Sequence, residues 1–300
     1  MIPVNGLRKR AVLIQALRGF FIDRDYLEVE TPIRVPSLAP EAHILPVTSG
    51  EWFLHTSPEL CMKRLLAAGI PKIFQICKCF RAQERGDRHL PEFTMLEWYV
   101  CHADYHHLMA ECEALLRHLA VAMGREGVVV WGGQRIELTG DWQRLTVAEA
   151  FQRYAPCSVE EALVLDRFDQ LLVEYVEPHL GFPSPCFLYD YPASLGALAR
   201  LSPDDPTVAE RFELYVAGLE LANGFSELVD PLEQRQRFLA EHELIHGQGR
   251  DPGPLPGPFL AELAAMPQAA GIALGVDRLV MLLTGASGID QVVAFTPEGL

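Results

Sequence analysis

Three groups of residues have types and spacings that could do chemistry. The first lies in Glu92–Cys101, where strand alternation puts Phe93, Met95, Glu97 and Tyr99 on one face and Thr94, Leu96 and Trp98 on the other. A carboxylate between an aromatic ring and a phenol is an unusual core pattern. Arg81 ends the partner strand beside a polar loop, a position suited to binding a phosphate or to a structural ion pair within the hairpin. The second group is Glu213 and Glu220, which would face opposite ways on one continuous strand. A two-residue turn at Ala217-Gly218 would instead set Tyr215 opposite Glu220, with Glu213 the diagonal neighbour on the same face. Two acids so placed form either an oxygen-rich Mg²⁺ site or a pair of exposed edge-strand acids. The third group is Gly275-Val276-Asp277-Arg278, a glycine-bearing strand feeding a helix. The helix N-terminus and the guanidinium both favour an anion; the alternative is an N-capping Asp277 beside a surface arginine.

Together the groups describe two arginines for phosphates, two acids for magnesium and an aromatic ring for a base. Glu59, Glu97 and Glu227 remain as surplus acids. Three carboxylates in one pocket repel each other unless cations answer them. A diamino acid, with two ammonium groups, is the ligand this implies.

These residues need elements to position them. Leu7, Ala11, Ile14, Leu17 and Phe21 recur at helical spacing and open the chain with an amphipathic helix. Strands are expected at Tyr26–Thr31 and Trp52–His55. Ser57-Pro58-Glu59 reads as the start of a helix, with a capping hydroxyl, proline at the first position and an acid in the first turn, and Gly69 closes it. Ile73–Arg81 and Glu92–Cys101 form a hairpin whose charged tip, Gln83–Pro91, reads as a mobile loop that closes over a ligand. Further helices are expected at Asp104–Ala122, near Thr146–Tyr154 and Ser158–Val176, and at Pro231–His246, with a hairpin around Gly132-Gly133. Arg211–Leu228 is strand-rich with breaks at Gly218 and Asn223-Gly224, and Gly271–Val276 is a strand leading into a helix from Asp277. Helices interleaved with antiparallel hairpins predict an α+β fold.

Bulk properties narrow the choice. The 300 residues, 49 % hydrophobic and 22 % charged, suffice for a large globular unit. A net charge of -15 counts against broad contact with a nucleic-acid backbone. The 7 cysteines are scattered, and Cys77-x-Cys79 lacks the spacing of a C-x-x-C zinc pair, so they read as reduced thiols of a cytoplasmic protein. No stretch reads as a signal peptide or a membrane span.

The same residues resemble the motifs of class II aminoacyl-tRNA synthetases. Tyr26–Pro32 looks like motif 1, FRAQERGDRHLPEFTMLEWY (Phe80–Tyr99) like motif 2, and ALGVDRLVML (Ala273–Leu282) like motif 3. RFELYVAGLELANGFSEL (Arg211–Leu228) is similar to the lysyl enzymes in particular. The resemblance covers most of the chain outside about 124–185, a divergent and shortened insertion in what is expected to be one catalytic domain over 1–300.

The resemblance implies a six- or seven-stranded antiparallel sheet flanked by helices and a homodimer through motif 1. It assigns Arg81 to the ATP α-phosphate, Phe93 to stacking on adenine, His89 to the phosphates and Arg278 to the γ-phosphate. Glu213 and Glu220 would hold Mg²⁺, with Leu221 and Gly275 lining the nucleotide. Ser57, Pro58, Glu59, Glu97, Tyr99, Asn223, Phe225, Glu227 and Ala273 would line the amino-acid pocket. Two positions depart from the family: Gln83 replaces a glutamate and Leu90 an asparagine of the ATP site. Gln83 can still accept from the adenine amine, whereas Leu90 offers only backbone or packing.

The first motif begins almost at Met1, with no anticodon-binding barrel before it, so tRNA anticodon binding is not expected. Ser57 and Ala273 stand where lysyl-tRNA synthetases usually carry Ala and Gly. Both features resemble the ligases that transfer (R)-β-lysine to a lysine side chain of elongation factor P. The alternatives are an α-lysine adenylating enzyme with another acceptor and a catalytically impaired regulatory paralogue.

Overall fold

The computed structural model describes residues 4–300. Helix α1 (Val4–Ile22) buries Leu13, Leu17, Phe20 and Phe21. Of the expected face only Leu17 and Phe21 are buried, while Ile14 is half-buried and Leu7 and Ala11 are exposed, so the buried stripe is rotated from the one the spacing suggested. The strand expected at Tyr26–Thr31 shrinks to β1 (Leu27–Glu28), after which only the Val29 N–H bonds the Phe74 carbonyl (2.9 Å). Strands β2 (Arg34–Val35), β3 (Val47–Ser49) and β4 (Trp52–Leu54) form a small sheet in the order β2-β4-β3. Helix α2 (Glu59–Ala67) leads to the hairpin of β5 (Lys72–Phe80) and β6 (Glu92–Cys101). The side chain of Asp104 caps α3 (Tyr105–Ala122).

The segment 124–185 starts with a hairpin, β7 (Val128–Trp131) and β8 (Gln134–Glu137), turning on Gly132 and Gly133. Both glycines take the positive φ that a two-residue turn needs (56° and 81°). Strand β9 (Gln143–Thr146) joins the main sheet, and a capping box on Thr146 starts α4 (Val147–Tyr154). The single helix expected over Ser158–Val176 is broken. Helix α5 (Val159–Val164) stops before Asp166, whose left-handed φ of 52° ends it; α6 (Phe168–Leu171) and a π turn follow.

Strand β10 (Cys186–Pro192) has no counterpart in the sequence reading, because it is mostly buried and shows no alternation. Strands β11 (Val208–Val216) and β12 (Leu219–Ser226) form the second hairpin. Helices α7 (Pro231–Gly247) and α8 (Gly257–Glu262), strand β13 (Ala269–Gly275) and helix α9 (Val276–Thr284) complete the elements used below.

The main sheet has eight strands in the order β1-β5-β6-β13-β12-β11-β10-β9. The fold is α+β as expected, but the sheet is mixed: the β1–β5 and β9–β10 pairings at its two margins are parallel. Side chains of α1, α3 and α9 fill the main core on one face of the central strands. The other face is covered by α2 and α8 towards one end and by α4, α5 and α6 towards the other, which leaves room for a site between them.

Candidate active site

Residues opposed across a ladder share a face, so the register lists what the sheet offers. Gln75, Glu97, Ala273, Asn223 and Glu213 form one row from β5 to β11. Ile73, Tyr99, Gly271, Phe225 and Arg211 form the next, and Cys77, Met95 and Gly275 a third. The alternate rows, such as Phe74, Trp98, Ile272, Gly224 and Phe212, face the main core. Gly224 does not break β12 as expected. It lies inside the strand, where a Cβ would come within 2.8 Å of the Phe212 ring.

The turn at Ala217 (φ 56°) and Gly218 (φ 68°) sets Tyr215 opposite Glu220, as the spacing predicted. The ladder then slips, and Ala222 pairs with Leu214 while Leu221 is the extra residue of a bulge. Glu220 and Asn223 lie three positions apart and would otherwise face opposite ways; the bulge puts both on the face of Glu213. Leu221 is buried in the main core, so its side chain is turned away from that face.

At one end of the rows, Glu97 accepts hydrogen bonds from Ser57 Oγ (2.6 Å) and Tyr99 OH (2.8 Å). Burial, and then the charge of Glu59, holds the Glu97 carboxyl well above the usual carboxylate range. Ser57 is not the cap of α2. The helix starts at Glu59 after Pro58, although Ser57 Oγ still accepts from the Glu59 N–H (3.0 Å). Lys63, fully buried, pairs with Glu59 and with Glu227 (2.5 Å). Its ammonium also lies 5.2 Å from the centre of the Phe225 ring. Glu227 Oε1 has no hydrogen-bond partner among the described residues, and burial raises this carboxyl to about 8 against the pull of Lys63. Gly271 leaves the space beside it open: a Cβ there would stand 2.3 Å from Glu227 Oε1 and 2.2 Å from the Tyr99 ring.

At the other end, the Arg81 guanidinium lies 5.2 Å from the centre of the Phe93 ring, with Glu84 at 3.8 Å and a buried Nε that has no partner among the described residues. Arg278 donates to the Glu220 carbonyl (2.9 Å) and Oε2 (3.1 Å), and its other nitrogen meets His89 Nε2 at 2.5 Å. Burial, then the charge of Arg278, lowers the His89 pKa, so the neutral ring serves as acceptor. Asp277 is not an N-cap. It is buried, accepts from the Thr94 N–H (2.7 Å) and pairs with Arg10 (2.6 Å), tying α9 to β6 and α1. Gly275 takes the cap position.

The loop between β5 and β6 starts at Gln83 in a left-handed conformation (φ 65°) and packs Leu90 into the core. Leu90 therefore contributes packing. Its tip is closed by a Gly86–His89 bridge and latched by Arg85 to Asp290 and Glu298 (both 2.8 Å).

Between the ends, Glu213 accepts from Arg211 and from Tyr215 OH, both at 2.7 Å. Burial, and then Glu220, raises its pKa. Two mutually repelling carboxylates on one face make an all-oxygen donor set, which fits a hard divalent cation.

Lys63, Arg211 and Glu41 lie in the candidate site and were not singled out from the sequence. Lys63 was signalled by its i+4 spacing from Glu59 on α2. Glu41 had no signal. It sits on an irregular loop, lines a cleft with Ser57, Pro58 and Glu59, and is raised to about 7 by burial despite the nearby Arg81.

Comparison with known proteins adds to this geometry. Residues 4–298 match the family described as tRNA synthetases class II (D, K and N). A protein of Salmonella gallinarum named elongation factor P--(R)-beta-lysine ligase is 41 % identical over 311 aligned residues, covering 98 % of this chain and 96 % of the relative. Proteins of the same name from Salmonella paratyphi B and Salmonella enteritidis are 40 % identical over 313 residues with the same coverage.

Proposed function

The chain belongs to the class II tRNA synthetase family of the D, K and N type, and from that premise we propose that it activates (R)-β-lysine with ATP and transfers it to a lysine side chain of elongation factor P. It is an ATP-dependent ligase, and the names of its relatives supply the amino acid and the acceptor. The observation that carries the reading is the acid pocket of Glu59, Glu97 and Glu227 on the same face as Arg81, Arg278 and the Glu213–Glu220 pair.

The chemistry follows from charge. The substrate carboxylate is already a nucleophile and attacks the α-phosphorus; the new O–P bond forms as the bond to pyrophosphate breaks. Arg81, stacked beside Phe93, is set to stabilise charge on the α-phosphoryl oxygens, while Phe93 offers its ring to adenine. Arg278 and the neutral His89 are set to receive the leaving pyrophosphate. Mg²⁺ would be held by Glu213 and Glu220 and would supply neutralisation of phosphate charge. Gln83 offers a carbonyl to the adenine amine, with Gly275 and the backbone at Leu90 and Leu221 lining the nucleotide. Tyr99, Asn223 and Phe225 complete the pocket wall, with Ser57, Pro58 and Ala273 setting its depth. The acceptor ε-amine then attacks the adenylate carbonyl and releases AMP.

Two further features belong to this proposal. The chain acts as a homodimer, for which the exposed apolar residues of α1 and the motif 1 segment speak. No helix among the described residues is long and apolar enough to cross a membrane, and a cytoplasmic location suits the proposed acceptor.

ATP–pyrophosphate exchange with (R)-β-lysine, L-α-lysine and no amino acid tests the reading. Preference for β-lysine, followed by transfer to elongation factor P, is expected. Preference for α-lysine would move the substrate assignment to the α-isomer, and no exchange with either would sink the enzymatic reading of this site.

A further inference from the structure

Cys77 and Cys79 are i and i+2 on β5, so both thiols project from one face, and that face is the catalytic one. Cys77 is opposite Met95, and Cys79 is opposite Phe93. The two sulfurs are 3.9 Å apart, and both cysteines are free thiols. A third donor comes from outside the strand. His55 follows β4, and its backbone is pinned by the Phe80 N–H to its carbonyl (3.0 Å) and by its own N–H to the Ile33 carbonyl (2.8 Å). Its Nε2 lies 3.9 Å from Cys79 Sγ, and the thioether of Met95 lies 3.9 Å from the same sulfur. One ligand atom from each of His55, Cys77 and Cys79 falls within 4.8 Å of the others.

The two 3.9 Å spacings lie close to those of a tetrahedral centre. Metal–sulfur bonds of about 2.3 Å and metal–nitrogen bonds of about 2.0 Å put ligand atoms roughly 3.5–3.8 Å apart. The donors are soft, two thiols and an imidazole beside a thioether, which selects a thiophilic d¹⁰ cation over Mg²⁺. His55 and Cys79 are buried and Cys77 is half-buried, so the open side of the cluster faces the cleft. One contact must be exchanged. His55 Nε2 now lies 2.7 Å from the Lys78 carbonyl, and ligation replaces that hydrogen bond. The net worth of such a bond is small against that of a metal–thiolate centre.

We infer that His55, Cys77 and Cys79 form a binding site for a thiophilic cation such as Zn²⁺ in the floor of the catalytic cleft, and that its occupation blocks amino-acid activation. Binding releases the two thiol protons to solvent and forms one metal–nitrogen and two metal–sulfur bonds. The ion would sit between Phe93 and Glu97, the neighbours of Met95 on its own face of β6. A cation there competes with the substrate ammonium for Glu97 and crowds the ring offered to adenine. The binding stands apart from the proposed activity; only the inhibition rests on it.

Cobalt titration of the full chain reads the binding without any assay of activity. One equivalent of Co²⁺ should raise a thiolate-to-cobalt charge-transfer band, and Zn²⁺ should abolish it by displacement. Cys77→Ser, at the half-buried position, and Cys79→Ser should each weaken Zn²⁺ binding at least about a hundredfold, with folding checked by circular dichroism. No charge-transfer band, or one that survives both substitutions, overturns the site. Zn²⁺ should also inhibit pyrophosphate exchange in the unsubstituted chain and far less in Cys77→Ser. Inhibition equal in both would place the ion at the carboxylates of Glu213 and Glu220 and overturn the inhibitory role.

Discussion

A buried carboxyl that holds its proton cannot pair with an ammonium group until it gives the proton up. Glu227 is raised to about 8, and Glu97 is held well above the usual carboxylate range, both chiefly by burial. Below that range the empty pocket is partly neutral, and binding a diammonium substrate must expel protons. The sign follows: affinity rises with pH while the carboxyls are protonated and levels off once they are ionised. We expect KM for the amino acid to fall as pH climbs towards about 8 and to flatten above it, while KM for ATP does not follow. A flat amino-acid KM across that window would remove Glu227 from substrate binding. Lys63 is the other half of this balance. Three acids against one lysine leave a deficit that two ammonium groups can answer, so the sequence-level count of surplus acids needed one correction. Lys63→Met leaves Glu59 and Glu227 facing each other uncompensated. Breaking a buried pair in this way typically costs about 3–5 kcal/mol, so denaturant unfolding should show a loss of that order. Added substrate should restore part of it, by mass action.

At the scale of elements, the site depends on three backbone devices: the Ala217-Gly218 turn, the Leu221 bulge and the bare Cα of Gly271. The turn was legible, because a two-residue link between apolar runs leaves few geometries. So was the face of β6, because alternation alone sorts Phe93, Met95, Glu97 and Tyr99 from Leu96 and Trp98. The bulge was not, since one extra residue leaves no mark on composition and shows only in the register. β10 escaped for a related reason: a strand buried on both faces has no period to detect. Glu41 and His55 reach the site from irregular segments far from its strands in sequence, and no spacing rule joins them to it. Gly271→Ala tests the third device. Its Cβ would meet both the Tyr99 ring and Glu227 Oε1 at under 3 Å, and neither fully buried group can swing away freely. The substitution should destabilise the chain by about 1–3 kcal/mol and raise KM for the amino acid, leaving ATP affinity nearly unchanged. An unchanged amino-acid KM in thermally stable protein would show that the pocket does not extend to Gly271.

The whole molecule presents an apolar surface that the described residues leave uncovered. Val12 and Ile22 on α1, Leu27 on β1 and Ile33 beyond it are each more than two-fifths exposed. β1 is also the marginal strand of the main sheet, with one neighbouring strand among the described residues. Single exposed apolar residues are ordinary, but several from consecutive elements next to a short sheet margin fit the self-complementary patch of a two-fold dimer. The same segment leads through the loop carrying Glu41 into the cleft, so pairing there would also stiffen one wall of the site. Leu27→Glu and Ile33→Glu test this without touching the core, since both positions are exposed in the chain itself. An unpaired charge buried at an interface costs several kcal/mol, on the order of a hundredfold or more in Kd. Sedimentation velocity of the unsubstituted protein should therefore give twice the 33.5 kDa chain mass, and the double variant the mass of one chain, with thermal unfolding of the monomer still cooperative. Exchange activity should fall with the dimer fraction if the loop wall needs its support. A double variant that remains dimeric would place the contact elsewhere on the surface, and unsubstituted protein that sediments as one chain would end the dimer proposal.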